Sequence, residues 1–353
     1  MKTDHILIIR FSAMGDVAMT VPVVSALAHQ YPALRITVLS RPFARVFFEG
    51  LAPNVGFMGA DLKGEYHGIK GLNALYRRLI AKNFTAIADF HAILRSSYLR
   101  MRFNMARYRV AHINKHRAER RALTAQGSKK RLQPIPSSFE AYADVLAELG
   151  YPIKPEFTSI FTDTDGSLFA TVAHLIGDRP EGQKWIGIAP FAAHQGKVYP
   201  VEKMEQVIDQ LSQQLPSCRI FLFGGSKDEQ AVFQQWQQRY PTCTNASAVM
   251  GGLHGELVLM SRLDVMLSMD SANMHLASLV GTKVVSIWGA THPYAGFMGW
   301  NQSTDNAVQV DLPCRPCSIY GNKPCTQGNY PCMNNILPQQ VVEKIINVIH
   351  HNS

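Results

Sequence analysis

The chain has 353 residues, 46% of them hydrophobic and 17% charged, with a formal charge of +9. This length is too great for one ordinary α/β domain and suits two, and the composition is that of a globular chain able to bury a core. The first apolar run, Ile6 to Ile9, is too short for a signal peptide before Arg10 interrupts it, and no stretch approaches the ~18 apolar residues of a membrane span, so the cytosol is the expected location.

In chain order, residues 6–10 read as a buried strand followed by the loop 11–16. Val17, Val21, Val24, Leu27 and Ala28 then keep helical spacing. Residues 35–40 read as a second strand, 75–81 as helix and 85–90 as strand. The stretch 95–131 holds 12 basic residues and one acid, Glu119. It also contains Tyr98, Met101, Phe103, Met105 and Tyr108, so it reads as a structured basic surface rather than a solvated tail. Pro134 and Pro136 break the pattern, 138–149 is helical up to Gly150, and 151–155 is extended. A second series follows: strands at 185–190, 219–223, 263–269 and 283–288, and helices at 201–215, 228–239, 271–280 and 338–350.

This alternation predicts an α/β protein of two Rossmann-like, doubly wound domains facing a central cleft. The expected domains are 1–155 and 156–353, with the last helix returning to pack on the first. Charge divides with them. Residues 1–160 carry 23 Lys+Arg and 11 Asp+Glu, a net of +12, whereas the remainder carries 12 and 15, a net of −3. Ligands in open α/β sheets sit beyond the carboxyl ends of strands, so the loops after strands are where chemistry is expected.

Three such loops carry candidate groups. Gly15 permits a tight turn after the first strand, and Asp16 follows at a helix start. Its carboxylate suits a general base, and equally suits a helix N-cap. The run Asp270, Ser271, Ala272, Asn273, Met274, His275 joins a strand to a helix whose first amides can hold a diphosphate; a plain capped helix with a satisfied histidine reads the same way. Lys197, in the loop after the strand 185–190, can neutralise a departing phosphate or simply be solvated. Cys314, Cys317, Cys325 and Cys332 form a C-x2-C-x7-C-x6-C pattern that fits reduced thiols or a redox-labile pair as well as a structural zinc site. There is no P-loop, H-E-x-x-H or G-x-S-x-G motif, which weighs against kinase, zinc-protease and serine-hydrolase readings.

The segments ILIIRFSAMGDVAMTVPVVSAL and LDVMLSMDSANMHLASLVGTKVVSIWGATHP, with the tail CRPCSIYGNKPCTQGNYPCMNNI, together resemble glycosyltransferase family 9, the ADP-heptose:lipopolysaccharide heptosyltransferases. The resemblance covers nearly the whole chain. It implies a GT-B fold with the acceptor on the N-terminal domain and the nucleotide sugar on the C-terminal one. It also implies inversion at the anomeric carbon without metal or cofactor. The family's catalytic aspartate falls on Asp16, its phosphate-binding lysine on Lys197, and its diphosphate turn on Asp270, Ser271, Ala272, Asn273 and His275. The acidic position after the Gly224-Gly225 turn falls on Asp228. Ala272 stands where the family has glycine, so a shifted backbone is expected there; the paired hydroxyls before the lysine are also lacking.

The implied donor is a nucleotide sugar, ADP-heptose. The acceptor is an acidic, lipid-linked saccharide of the lipopolysaccharide inner core, held by Arg95, Arg100, Arg102 and Arg120. A monomer in peripheral contact with the anionic inner face of the cytoplasmic membrane is expected, with no nucleic-acid partner. A nucleotide-sugar epimerase or another sugar transferase on the same fold is the rival enzyme, and a nucleic-acid-binding protein using 95–131 is the rival without catalysis.

Overall fold

A computed structural model describes residues 4–161 and 167–351. The chain divides into two compact units, one formed by 1–115 with 136–160 and the other by 116–135 with 161–353.

The first unit is built on a parallel five-stranded sheet of order β3-β2-β1-β4-β5. Its strands are β1 His5–Ile9, β2 Arg35–Ser40, β3 Val55–Gly59, β4 Ala86–Asp89 and β5 Arg109–His112. The central strand β1 is buried along its whole length because it has a strand on each side and helices over both faces. Its helices include α1 Met14–Ala18, α2 Val21–Gln30, α3 Gly68–Ile80, α4 Leu94–Met105 and α5 Ser138–Glu148. In α3, Leu72, Leu75, Tyr76 and Leu79 recur at helical spacing and are buried, whereas Lys70, Ala74, Arg77 and Arg78 are exposed. The α3 and α4 side chains join one core with Leu7, Ile9, Leu39 and Ile87 of the sheet. α5 opens on a capping box, in which Ser137 Oγ accepts from the Glu140 amide and the Ser137 amide donates to Glu140 Oε2 at 2.7 Å.

The second unit has a parallel six-stranded sheet of order β11-β10-β9-β6-β7-β8. Its strands are β6 Trp185–Ala189, β7 Arg219–Leu222, β8 Cys243–Asn245, β9 Val265–Met269, β10 Val284–Ile287 and β11 Ala307–Val308. The helices needed below are α6 Val201–Gln214, α7 Lys227–Arg239, α8 Ala272–Leu279 and α9 Pro338–His351. The closing helix α9 packs on α6, β9 and β10 of its own unit, with Val341, Val342, Ile345 and Ile349 in the core. Each such side chain contributes about 1.5–3 kcal/mol by leaving water. The strip 116–135 is tied to this unit by Lys130, whose ammonium donates to the carbonyls of Pro313 and Pro316, and by the Ile135 amide, which donates to the Tyr294 carbonyl.

In both units the order is that of a Rossmann sheet. The chain begins at a central strand, moves outward for two strands, and then crosses back to the other side of its start. The reversal falls between β1 and β4 in the first unit and between β6 and β9 in the second. The four strands the sequence does not reveal, β3, β5, β8 and β11, are the four sheet edges. Among the described residues, no helix is long and apolar enough to cross a membrane.

Candidate active site

At the β1/β4 reversal the first unit gathers charged groups. Arg10 follows β1, and its buried guanidinium bridges two loops: Nη1 donates to the Phe90 carbonyl at 2.7 Å, and Nη2 lies 2.7 Å from Asp16 Oδ2. Asp16 is not the N-cap of α1. It is the third helical residue, with Ala13 at the cap, and its Oδ2 accepts the Ala13 amide at 3.0 Å. The carboxylate therefore closes the helix start and pairs with Arg10 through one oxygen. Its side chain keeps 30% exposure, enough for a substrate hydroxyl to reach it.

The loop after β4 supplies the rest. Asp89 is fully buried and accepts the amides of His91 and Ala92, and its Oδ2 lies 3.3 Å from Arg100 Nη1. His91 is buried, and its Nδ1 accepts the Phe11 amide at 3.3 Å. Burial first, and then the charge of Arg10, push its pKa down to about 3, so the ring is neutral near pH 7. Arg95 is exposed, yet near enough for its charge to bear on His91. Lys115 donates to the Ala92 carbonyl at 3.0 Å.

The four arginines expected to act together are placed differently. Arg100 pairs with Asp89 in the site. Arg102 lies on the flank between α3 and α4, bonded to Asn73 and stacked 4.5 Å over the Tyr76 ring. Arg120 belongs to the second unit, where it donates to the Tyr320 hydroxyl at 2.9 Å and lies over the Phe297 ring. The basic stretch 95–131 is divided between the units after Lys115.

The second unit repeats the arrangement at β6/β9. Lys197 comes from the loop after β6, Asp270 from the end of β9, and their charged atoms lie 2.9 Å apart with both side chains largely buried. Lys197 is therefore a held cation rather than a solvated one. Its stem runs against Gly321, where an added Cβ would lie 2.6 Å from Lys197 Cγ and whose φ of +74° already favours glycine.

Ser271 precedes α8 without capping it; its hydroxyl lies 3.2 Å from Ser268 Oγ. The start of α8 thus differs from that of α7, where the Ser226 side chain accepts from the Glu229 amide. Uncapped amides and the helix dipole favour an anion at the start of α8. Asn273 lies in the first turn, and His275, the fourth helical residue, is buried. Ala272 is helical and is not among the non-glycine residues of positive φ, so the alanine does not force the backbone shift expected of it.

Asp228 is exposed in the first turn of α7. The acid tied to the Gly224-Gly225 turn is its neighbour Glu229, whose Oε2 accepts the amides of Gly225 and Ser226 at 2.7 and 2.9 Å.

Cys314, Cys317, Cys325 and Cys332, the zinc candidates of the tail, are free. Among the described residues no group of three or more His, Cys, Asp or Glu is placed to hold a metal ion. All six cysteines are free, and Cys332 is packed in the apolar core, where burial pushes its thiol up to about 11. The residue that organises the tail is Arg315, between Cys314 and Cys317. Its buried guanidinium donates to the carbonyls of Trp288, Gly289, Thr291 and Val310, and so fixes the loop after β10. The Ala290 amide in that loop donates to Gly196, next to Lys197.

The model for glycosyltransferase family 9 (heptosyltransferase) matches residues 72–330. The chain belongs to this family. Among curated relatives, lipooligosaccharide heptosyltransferase 2 of Campylobacter jejuni (serotype O:2) is 25% identical over 48% of this chain, which spans only about half (53%) of that relative's length. Lipopolysaccharide heptosyltransferase 3 of Escherichia coli K12 is 25% identical over 84% of each chain. The structure of E. coli ADP-heptose lipopolysaccharide heptosyltransferase II matches with a TM-score of 0.68, at 17% identity, over 98% of this chain and 99% of that one. The α/β fold of two parallel sheets flanked by helices is therefore the GT-B-like fold of this family.

Sequence reasoning missed Arg10, Asp89, His91 and Glu229. Arg10 had a signal, a lone cation closing an apolar strand just before the Gly15-Asp16 loop. Asp89 and His91 had one only for a reader who knew that β4 lies beside β1.

Proposed function

We propose that this protein is an inverting, metal-independent glycosyltransferase that moves heptose from ADP-heptose to an acidic, lipid-linked acceptor of the lipopolysaccharide inner core. The observation that carries the reading is the pair of charged switch points, Arg10–Asp16 in one unit and Lys197–Asp270 beside an uncapped helix start in the other. The acceptor belongs to the first unit, whose Arg95 and Arg100 suit phosphate or carboxylate groups, and the nucleotide to the second. The names of the relatives support heptose, the nucleotide and the acceptor class. The enzyme acts as a monomer at the inner face of the cytoplasmic membrane.

Asp16 takes the proton from the acceptor hydroxyl as that oxygen attacks the anomeric carbon. Arg10, anchored on the Phe90 carbonyl, keeps the carboxylate aimed. The bond from that carbon to the diphosphate breaks on the opposite face. Lys197, the amides at the start of α8 and His275 stabilise the charge growing on the departing ADP. Asp270 holds Lys197 in position.

The test is Asp16→Asn, assayed for heptose transfer and, by calorimetry, for ADP binding, with and without EDTA. Turnover should fall by about 10²–10⁴ while ADP affinity is unchanged, and EDTA should have no effect on the parent enzyme. A variant with normal turnover removes Asp16 as the base; activity lost in EDTA and restored by Mg²⁺ contradicts metal independence.

A further inference from the structure

One flank of the first unit carries exposed apolar side chains that neither switch point uses. Helices α3 and α4 run in the same direction, because each follows a parallel strand of one sheet. They meet along a seam. Tyr98 Oη donates to Asn73 at 2.8 Å, and the rings of Tyr76 and Phe103 lie edge to face at 5.1 Å.

Along this seam four large apolar side chains stand in solvent: Ile69 at 68% exposure, Leu94 at 92%, Met101 at 47% and Met105 at 74%. On α4 these belong to a stripe at positions 94, 98, 101 and 105, the spacing of a single helix face. The opposite face of α4 is already satisfied, with Leu99 and Phe103 fully buried in the core. Exposed apolar side chains scattered singly need no explanation, but four along one seam do.

The charged residues of the two helices have one sign, although Arg78 pairs with Glu65 and Arg100 with Asp89. The sequences of α3, GIKGLNALYRRLI, and α4, LRSSYLRMRFNM, contain six cations and no acid. Lys70, Arg77 and Arg95 are exposed. An ordinary solvated helix face mixes acids with bases. Apolar side chains between cations, with no acid, complement a surface that is anionic at headgroup level and apolar just beneath.

We infer that the α3–α4 seam docks on an anionic lipid bilayer, with Met101 and Met105 entering the headgroup boundary. This deepens the proposed function, resting on it for the lipid-linked acceptor. It also separates two roles within one helix: Arg100 turns inward to Asp89, while the 94–105 stripe faces the lipid.

The experiment is co-sedimentation of the full chain with phosphatidylglycerol-containing vesicles and with phosphatidylcholine vesicles, at low and high salt. The parent protein should bind the anionic vesicles alone and lose binding as salt rises, each basic residue at the surface contributing roughly fivefold. The double variant Met101→Asp/Met105→Asp should bind about tenfold or more weakly, with an unchanged melting temperature and unchanged kcat on a water-soluble acceptor. The milder Met101→Gln/Met105→Gln pair guards against misfolding and should show the same direction. Binding equal to the parent's in both double variants overturns the inference, and so does a parent that ignores anionic vesicles. A parent that forms a dimer lost in the double variants, without vesicle binding, assigns the seam to a second copy and also overturns it. Arg100→Glu distinguishes the two readings: it should raise the acceptor KM and leave vesicle binding intact. If KM stays normal while the seam variants still lose lipid, the acceptor assignment fails and the membrane surface stands.

Discussion

Asp16 and Asp270 are both paired with a cation beyond a central strand, but they are suited to different work. Asp270 has a side-chain exposure of 3%, so it can steer Lys197 and do little else, whereas Asp16 at 30% can meet a substrate. Lys197 in turn depends on a residue far along the chain. Gly321→Ala would place a methyl group in the lysine stem and strain a left-handed backbone position. It should weaken ADP binding about ten- to hundredfold, close to the effect of Lys197→Ala, as loss of a charge-assisted contact requires. Calorimetry with ADP checks this, and unchanged affinity would show that the lysine stem can move aside. Asp16 and Lys197 were readable from sequence because each follows a strand that announces itself by an unbroken apolar run. Gly321 was not, since nothing near it in sequence mentions residue 197.

The same contrast governs the elements. The central strands β1, β6 and β9 are buried end to end, so their sequences are apolar but for His5 and Ser268. Edge strands have one open side: β5 is Arg-Val-Ala-His, with a single buried residue. The order of strands cannot be read from one-dimensional pattern at all, and that order brings Asp89 and His91 beside the Asp16 loop. Helix starts were legible where a serine stands three residues before a glutamate, as at Ser226 and Glu229, but the pattern cannot tell a capped start from an open one. Substitution separates the two kinds. Ser226→Ala should cost about 1 kcal/mol of stability and leave ADP binding alone. Ser271→Ala, which removes no cap, should change stability little and weaken ADP binding. Urea unfolding and calorimetry on both variants decide it; the reverse pattern would place the anion site elsewhere.

At the scale of the molecule, two buried histidines make stability depend on pH. The ordinary histidine pKa is 6.5; burial lowers that of His91 to about 3 and that of His292 to about 4. Between the folded and unfolded values the unfolded chain binds protons that the folded chain refuses. Stability is therefore full above about pH 6.5 and declines as pH falls toward 3, by on the order of a few kcal/mol for each. All four tryptophans, Trp185, Trp236, Trp288 and Trp300, lie in the second unit. Tryptophan fluorescence thus follows that unit, and far-UV circular dichroism follows both. His91→Gln should flatten the acid dependence of the dichroism transition and leave the fluorescence transition as it was. An unaltered dichroism profile would mean that His91 is protonated in the folded protein.

The strip 116–135 also bears on how this chain is made. Arg120 precedes its partner Tyr320 by 200 residues. At ribosomal speeds of about 5–20 residues per second, the strip emerges roughly 10–40 s before the tyrosine that receives it. During that interval residues 1–115 can collapse around β1, but they must wait for 136–160 to complete their unit. Biogenesis is then not a matter of one finished domain followed by another. A nascent chain halted near residue 300 should still offer its 116–135 strip to a protease, and release of the full chain should close it off.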